Sequence, residues 1–291
     1  MYALMAVTSL LIATSFPVGE AIARGLDPLA LTLVRFAIAA AVFAPIVAAV
    51  HGIEVPTLAR LAAYGAISAA LVGFFWCMFA ALRTTTAFNT SVLYTTVPAL
   101  SALFGAIIAG ERLMARHLIA LSLGLVGALW VIFQGDIDRA LGLEFSWGDA
   151  VFLAGCVLMG TYAPLIKRLY RGEPAATMTL WVLITGLGWL LLLVNAELWS
   201  IDWRAVEPRV WGGIVYLAVI TTIVTSFLTQ YATVRLGPTR TMAWSYFYPV
   251  IVIAIDWAFG KEFPPPATLP GVAIVVATSL VVQSEGRSDR R

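Results

Sequence analysis

A chain of 291 residues that is 61% hydrophobic and 12% charged departs far from the soluble average, where about a quarter of residues carry charge. Its net charge of +2 is the small difference between 18 basic and 16 acidic side chains, with no basic block to track a phosphate backbone, so nucleic acid is excluded as a partner. Cys77 and Cys156 lie inside apolar stretches and His51 and His117 near helix ends; no group has the spacing of a zinc or iron site, and no cofactor is expected.

An α-helix rises about 1.5 Å per residue and the hydrocarbon core of a bilayer is about 30 Å thick, so roughly 20 apolar residues make one crossing. Breaks rich in charge, Pro or Gly divide the chain into ten such stretches: 2–23, 28–50, 57–81, 86–109, 115–134, 146–169, 176–195, 208–232, 238–260 and 266–283. The first lacks a Lys/Arg-rich front and is long enough to span, so it reads as a helix and not as a cleaved signal peptide. The longest connection, 135–145, is too small for a domain, and the function is expected within the membrane. Eleven Lys and Arg side chains fall on the side that carries both termini and seven opposite, which by the positive-inside rule predicts cytoplasmic termini.

The two ends of the chain repeat each other. Thr14, Pro17, Arg24 and Gly25 recur 147 residues later as Thr161, Pro164, Arg171 and Gly172, and Pro98 and Glu111 recur 151 residues later as Pro249 and Glu262. Several matches in register imply a duplication. With five helices per copy, the second must enter the membrane from the other face. The expected fold is therefore all-α and membrane-integral: ten transmembrane helices as two inverted five-helix repeats, 1–135 and 146–284, with a cytoplasmic tail 285–291. Inverted repeats are the architecture of alternating access, which points to transport of a small metabolite.

A central site is expected where helix kinks and small polar residues meet. Pro98 and Pro249 lack a donor and are predicted to free carbonyls near Tyr94 and Ser245. One face then presents Ser91, Tyr94, Thr95 and Pro98, and its repeat mate Met242, Ser245, Tyr246 and Pro249, flanked by Trp244 and Tyr248. Trp76, Phe79, Met159, Tyr162, Gln230 and Tyr231 complete the candidate lining. For each of these, packing or a place in the headgroup belt is the competing role. Glu20 and Asp256 are the candidate acids for proton coupling. Arg35 is the one candidate for a fixed cation in the cavity, which would favour phosphorylated or nucleotide-linked substrates, and it is expected instead to pair with Glu20 or to snorkel to the interface.

The run Thr14-Ser15-Phe16-Pro17 through Asp27-Pro28 to Arg35-Phe36 resembles the opening of EamA-type members of the drug/metabolite transporter superfamily. A second signature runs from Ala81-Leu82-Arg83-Thr84-Thr85-Thr86-Ala87 through Thr96-Val97-Pro98 and Gly110-Glu111-Arg112-Leu113 to Gly124 and Gly127. Its second copy passes through Tyr231-Ala232, Pro249, Gly260-Lys261-Glu262 and Gly271. Two departures stand out: Ile12-Ala13 replaces a Trp-Gly, and Glu20 stands where a Lys is common, although its repeat mate Lys167 keeps the base. The resemblance covers essentially the whole chain and implies a ten-helix exporter of the bacterial inner membrane, with amino acids, aromatic ones above all, as the substrate class. An uncoupled facilitator and a multidrug exporter of lipophilic cations share that implied fold. An intramembrane enzyme would need a nucleophile with its base, or a carboxylate pair, at bilayer depth, and the sequence has neither, so no enzymatic activity is expected. Apart from lipid and a small-molecule substrate, no obligate protein partner is expected, because docking loops are missing.

Overall fold

The computed structural model describes residues 1–111, 115–133, 135–136, 146–194, 198, 200–263 and 265–284, and these are helical with short connections and no strands. The tail 285–291 and residues 137–145 of the connection 135–145 lie outside the described residues. We number the helices α1 (Tyr2–Ile22), α2 (Pro28–His51), α3 (Leu58–Ala81), α4 (Ala87–Ala109), α5 (Ala115–Ile132), α6 (Trp147–Leu169), α7 (Ala175–Leu192), α8 (Pro208–Leu236), α9 (238–258) and α10 (Leu269–Ser284). Among the described residues, α1 to α4 and α6 to α8 are long and apolar enough to cross a membrane.

Helix ends follow local chemistry. Asp27 caps α2 by accepting from the Leu29 and Ala30 amides at 2.8 and 3.3 Å, with Pro28 in the first turn, where its missing donor costs nothing. Ser146 and Asp149 form a reciprocal capping box at the start of α6. Gly110 closes α4 at φ 67°, a left-handed conformation that a side chain would strain.

Cross-helix contacts define the two ends of the bundle. At one end, Arg24 after α1 donates to the Arg83 carbonyl after α3 at 3.3 Å. At the other, Arg60 at the start of α3 donates to the Leu169 carbonyl at the end of α6 at 2.9 Å and pairs with Glu173. We call these the Arg24 end and the Arg60 end. The outer surface is apolar, with Ile107, Leu192 and Trp257 at 70%, 78% and 67% exposure. Such an exterior suits lipid and would be costly in water.

Without a hydrophobic drive between helices in lipid, close approach of backbones supplies the packing. A Cβ on Gly127 of α5 would stand 2.9 Å from the Gly271 carbonyl of α10. A Cβ on Gly155 of α6 would meet the Cys77 Cβ of α3 at 2.8 Å, whereas one on Gly188 of α7 would meet nothing within 4 Å. Gly155→Leu is therefore expected to cost about 1–3 kcal/mol by overpacking. Thermal unfolding in detergent should show a melting point several degrees lower for this variant than for Gly188→Leu.

Candidate functional site

At the centre of the bundle lies a cavity of about 30 Å³. Its apolar wall is Ile12 and Phe16 from α1, Leu71, Phe74 and Phe75 from α3, and Met159 from α6. Tyr94 and Tyr162 contribute rings, and Ser15, Thr221, Thr225, Ser226 and Thr229 contribute hydroxyls. This volume holds about one water, well below the roughly 300 Å³ of an ordinary ligand pocket. A metabolite enters only if the helices around the cavity move apart.

Three of the contributing helices, α1, α4 and α8, depart from regular α geometry where they meet the cavity. α1 is interrupted at Thr14, between Tyr2–Ala13 and Ser15–Ile22. Thr14 Oγ1 donates to the Leu11 carbonyl at 2.6 Å, so it accepts from the Tyr216 hydroxyl of α8 at 2.7 Å. α4 tightens to a 3-10 turn at Tyr94–Thr96, and α8 loosens to a π-helical turn at Val219–Val224. Such turns mark functional sites often. In α8 the hydroxyls of Thr221 and Thr222 both donate to the Leu217 carbonyl, at 3.1 and 2.8 Å, and Thr225 donates to the Thr221 carbonyl at 2.7 Å. With their protons spent on their own helix, these hydroxyls keep lone pairs for a partner.

Around the cavity the aromatic rings form one cluster. Phe16 and Phe74 contact Tyr94 edge-on at 5.8 and 5.4 Å between centroids, and Tyr94 meets Tyr248 of α9 at 5.3 Å. Behind Tyr162, Gln230 donates to its hydroxyl at 3.0 Å and accepts from Thr179 of α7 at 2.8 Å, which fixes the ring.

Ion pairs close the bundle on either side of the cavity. At the Arg24 end, Lys261 binds Glu20 of α1 at 2.7 Å and Asp256 of α9 at 3.1 Å. This trio sits beside an apolar crevice of about 650 Å³ between α1, α8 and α9, which reaches inward to Thr14 and Tyr216. At the Arg60 end, Glu111 accepts from Lys167 of α6 and from Thr239 of α9, both at 2.9 Å. Partial burial pushes the Lys261 ammonium down, and the hydrogen bonds and charges of Glu20 and Asp256 outweigh it, so the group titrates above its ordinary value.

The structure sorts the sequence candidates. Tyr94, Met159 and Tyr162 line the cavity; Tyr248 stands one ring behind, and Gln230 acts on Tyr162. Ser91, Thr95, Pro98, Ser245 and Pro249 are buried without lining it, and the Ser245 hydroxyl has no hydrogen-bond partner. Trp76 is 44% exposed on the outer face, in a groove with Asp27 and Leu193, because it points away from the cavity flank of α3. Tyr231 lies in a groove at the Arg60 end, its ring tilted against Phe227 at 6.1 Å and beneath Arg235 at 3.5 Å. Trp244 packs on Tyr2 and Phe247 along the α1–α9 seam.

Two expectations need correction. The Tyr94 and Ser245 carbonyls are not freed by the prolines, since the 3-10 turns bring the Val97 and Tyr248 amides onto them. Arg35 neither pairs with Glu20 nor snorkels: it is fully buried, bonded to Thr221 and Thr222, with Phe75 beneath it and Phe79 at 5.9 Å. The sequence reading missed Phe16, Phe74, Phe75 and the α8 hydroxyls. The Phe74-Phe75 doublet and the run of Thr and Ser from 221 to 229 were the available signals.

A lipid-facing helical bundle that converges aromatic and hydroxyl side chains on an occluded central cavity, closed by ion pairs toward both ends, defines a membrane transporter. The EamA-like transporter family model matches residues 1–133 and again 146–283, and the chain belongs to that family. It is 24% identical over 83% of its length to the "uncharacterized transporter YyaM" of Bacillus subtilis, covering 80% of that protein. It is 25% identical over 70% of its length to a "probable terminal-alkyne amino-acid exporter" of Streptantibioticus cattleyicolor, covering 66% of it. A solved crystal structure matches 99% of this chain and 98% of its own with a TM-score of 0.71 at 20% identity, which shows the fold alone. These names and the family indicate transporters and not enzymes.

The Lys261 closure carries its own test. Exposed ion pairs contribute about 0–1 kcal/mol, so Lys261→Met should raise labelling of a cavity cysteine, Thr225→Cys in a background with Cys77 and Cys156 replaced by alanine, by up to about fivefold from the Arg24 end. The lysine's contribution is present below its unpaired pKa of about 10.4 and is lost only as pH climbs through its higher paired value. Labelling should therefore show no lysine-dependent step between about pH 6 and 9.

Proposed function

We propose that this chain exports amino acids, aromatic ones favoured, across the bacterial inner membrane by alternating access. In this reading residues 1–135 and 146–284 are inverted five-helix halves that make ten crossings, with both termini in the cytoplasm. The supporting observation is that the central cavity is lined from both halves and closed at both ends by charges that join them: Glu20 to Lys261, and Glu111 to Lys167. The two closures use repeat-related positions, since Glu20 corresponds to Lys167 and Glu111 to Glu262, the neighbour of Lys261. Opening one while the other holds is the exchange that inverted repeats permit. The cavity chemistry suits a zwitterion with an aromatic side chain: hydroxyl lone pairs and ring faces for the ammonium, and the Phe16–Phe74–Tyr94 wall for the ring. Glu20 and Asp256 are the candidate coupling acids, because protonating either weakens the hold on Lys261.

Reconstituted protein should show saturable uptake of phenylalanine, tyrosine or tryptophan with counterflow. Flux without saturation or counterflow would instead identify a facilitator, and no flux above empty vesicles would overturn the assignment. Tyr94→Leu and Thr229→Leu should each lower uptake about tenfold or more, while Trp76→Leu on the outer face leaves it within about twofold. Equal losses at all three positions would dislodge the pathway from the central cavity.

A further inference from the structure

Arg35 lies in the middle of the bundle with none of its surface exposed. Its Nε donates to Thr222 Oγ1 at 2.5 Å, and its Nη2 to Thr221 Oγ1 at 3.0 Å and the Thr221 carbonyl at 3.3 Å. Its Cζ sits 3.8 Å from the Phe75 ring centroid. Nη1 has no hydrogen-bond partner, and Arg35 forms no ion pair with any described residue. An arginine is always charged, and a charge at bilayer depth that meets no counter-charge is costly and marks a functional position. Neutral hydroxyls and a ring face solvate the guanidinium without cancelling its charge.

The neighbours of Arg35 say where an anion would meet it. Phe75 and Thr221, which hold the guanidinium, are also lining residues of the central cavity. Arg35 is thus one side-chain layer from the cavity, behind a ring that can rotate. Thr221 and Thr222 both lie in the π-helical turn of α8, and because both hydroxyls donate back to Leu217, their oxygens can only accept from arginine. Nε and Nη2 are spent on this cradle, and Nη1 alone remains for a ligand.

We propose that Arg35 is the anion-binding residue of the transport site and takes the carboxylate of the substrate through Nη1 when Phe75 swings aside. This deepens the amino-acid reading and rests on it for the rest of the substrate. One free donor group and no Lys or Arg among the cavity's lining residues match a single negative charge. A phosphate dianion would leave charge uncompensated, and a lipophilic cation would meet repulsion. The hydroxyl lone pairs of α8 and the ring faces then take the ammonium, so the two ends of a zwitterion are read by different elements.

The test is a ligand panel on the purified full-length protein, with binding read by thermal stabilisation and by counterflow. The probes are L-phenylalanine, 3-phenylpropionate, L-phenylalanine amide and phenethylamine, the first two bearing a carboxylate and the last two not. Wild type is expected to prefer the carboxylates. Arg35→Gln should weaken them about tenfold or more while leaving the amide and amine unchanged or tighter. Should that variant fail to fold, Arg35→Lys carries the same comparison, because it keeps the charge without the fork. Equal weakening of all four ligands, or no change in any, would overturn the assignment. Binding of 3-phenylpropionate but not phenylalanine, still dependent on Arg35, would uphold the assignment and remove the amino-acid reading. Binding of phenylalanine and its amide alike, indifferent to Arg35, would do the reverse. A wild type that binds neither carboxylate would overturn both.

Discussion

In hydrocarbon, a polar group that finds no partner has no water to fall back on, and this constraint shapes the whole bundle. The hydroxyls obey it by bonding their own helices: Thr8 to the Leu4 carbonyl, Thr32 to Pro28 and Thr225 to Thr221. The prolines obey it through the 3-10 turns that bring amides back onto the Tyr94 and Ser245 carbonyls. The charged side chains obey it by gathering into bridged groups at the two ends, such as Lys261 with its two acids. Against that background a side chain that breaks the rule stands out, and Arg35, with an unpartnered nitrogen in the interior, is the largest such case among the described residues.

The breaks in regular helix geometry are what convert a packed bundle into a site. At the interruption of α1, Ser15 donates to the Ile12 carbonyl at 2.6 Å and the next residue, Phe16, enters the aromatic cluster. The wide turn in α8 carries Thr221 and Thr222, the two hydroxyls that meet Arg35. These irregularities are costly in stability and recur at functional positions in many proteins.

Much of the fold was legible in the sequence, because span length and apolarity are set by bilayer thickness and need no tertiary information. The site was legible only in part. Tyr94 and Tyr162 stood out as polar aromatics in apolar helices, and both reach the cavity. Trp76 and Tyr231 stood out for the same reason and face elsewhere, since a helix that is apolar on every side carries no moment to say which face turns inward. For the same reason Phe74 and Phe75 hid among their apolar neighbours. The fate of Arg35 depended on a π-helical turn 187 residues away in sequence, for which the chain holds no local signal.

The ion pairs at the two ends have one more property. In both, the carboxylate, Glu20 or Glu111, comes from the N-terminal stretch of the chain, and the ammonium, Lys261 or Lys167, from the C-terminal stretch. On the two-half reading, an antiparallel pair of N-terminal halves would bring Glu20 toward Glu111 at both seams, with no ammonium between them. Such a pair could not close as the fused chain does, so the N-terminal half rejects a copy of itself and accepts its sibling.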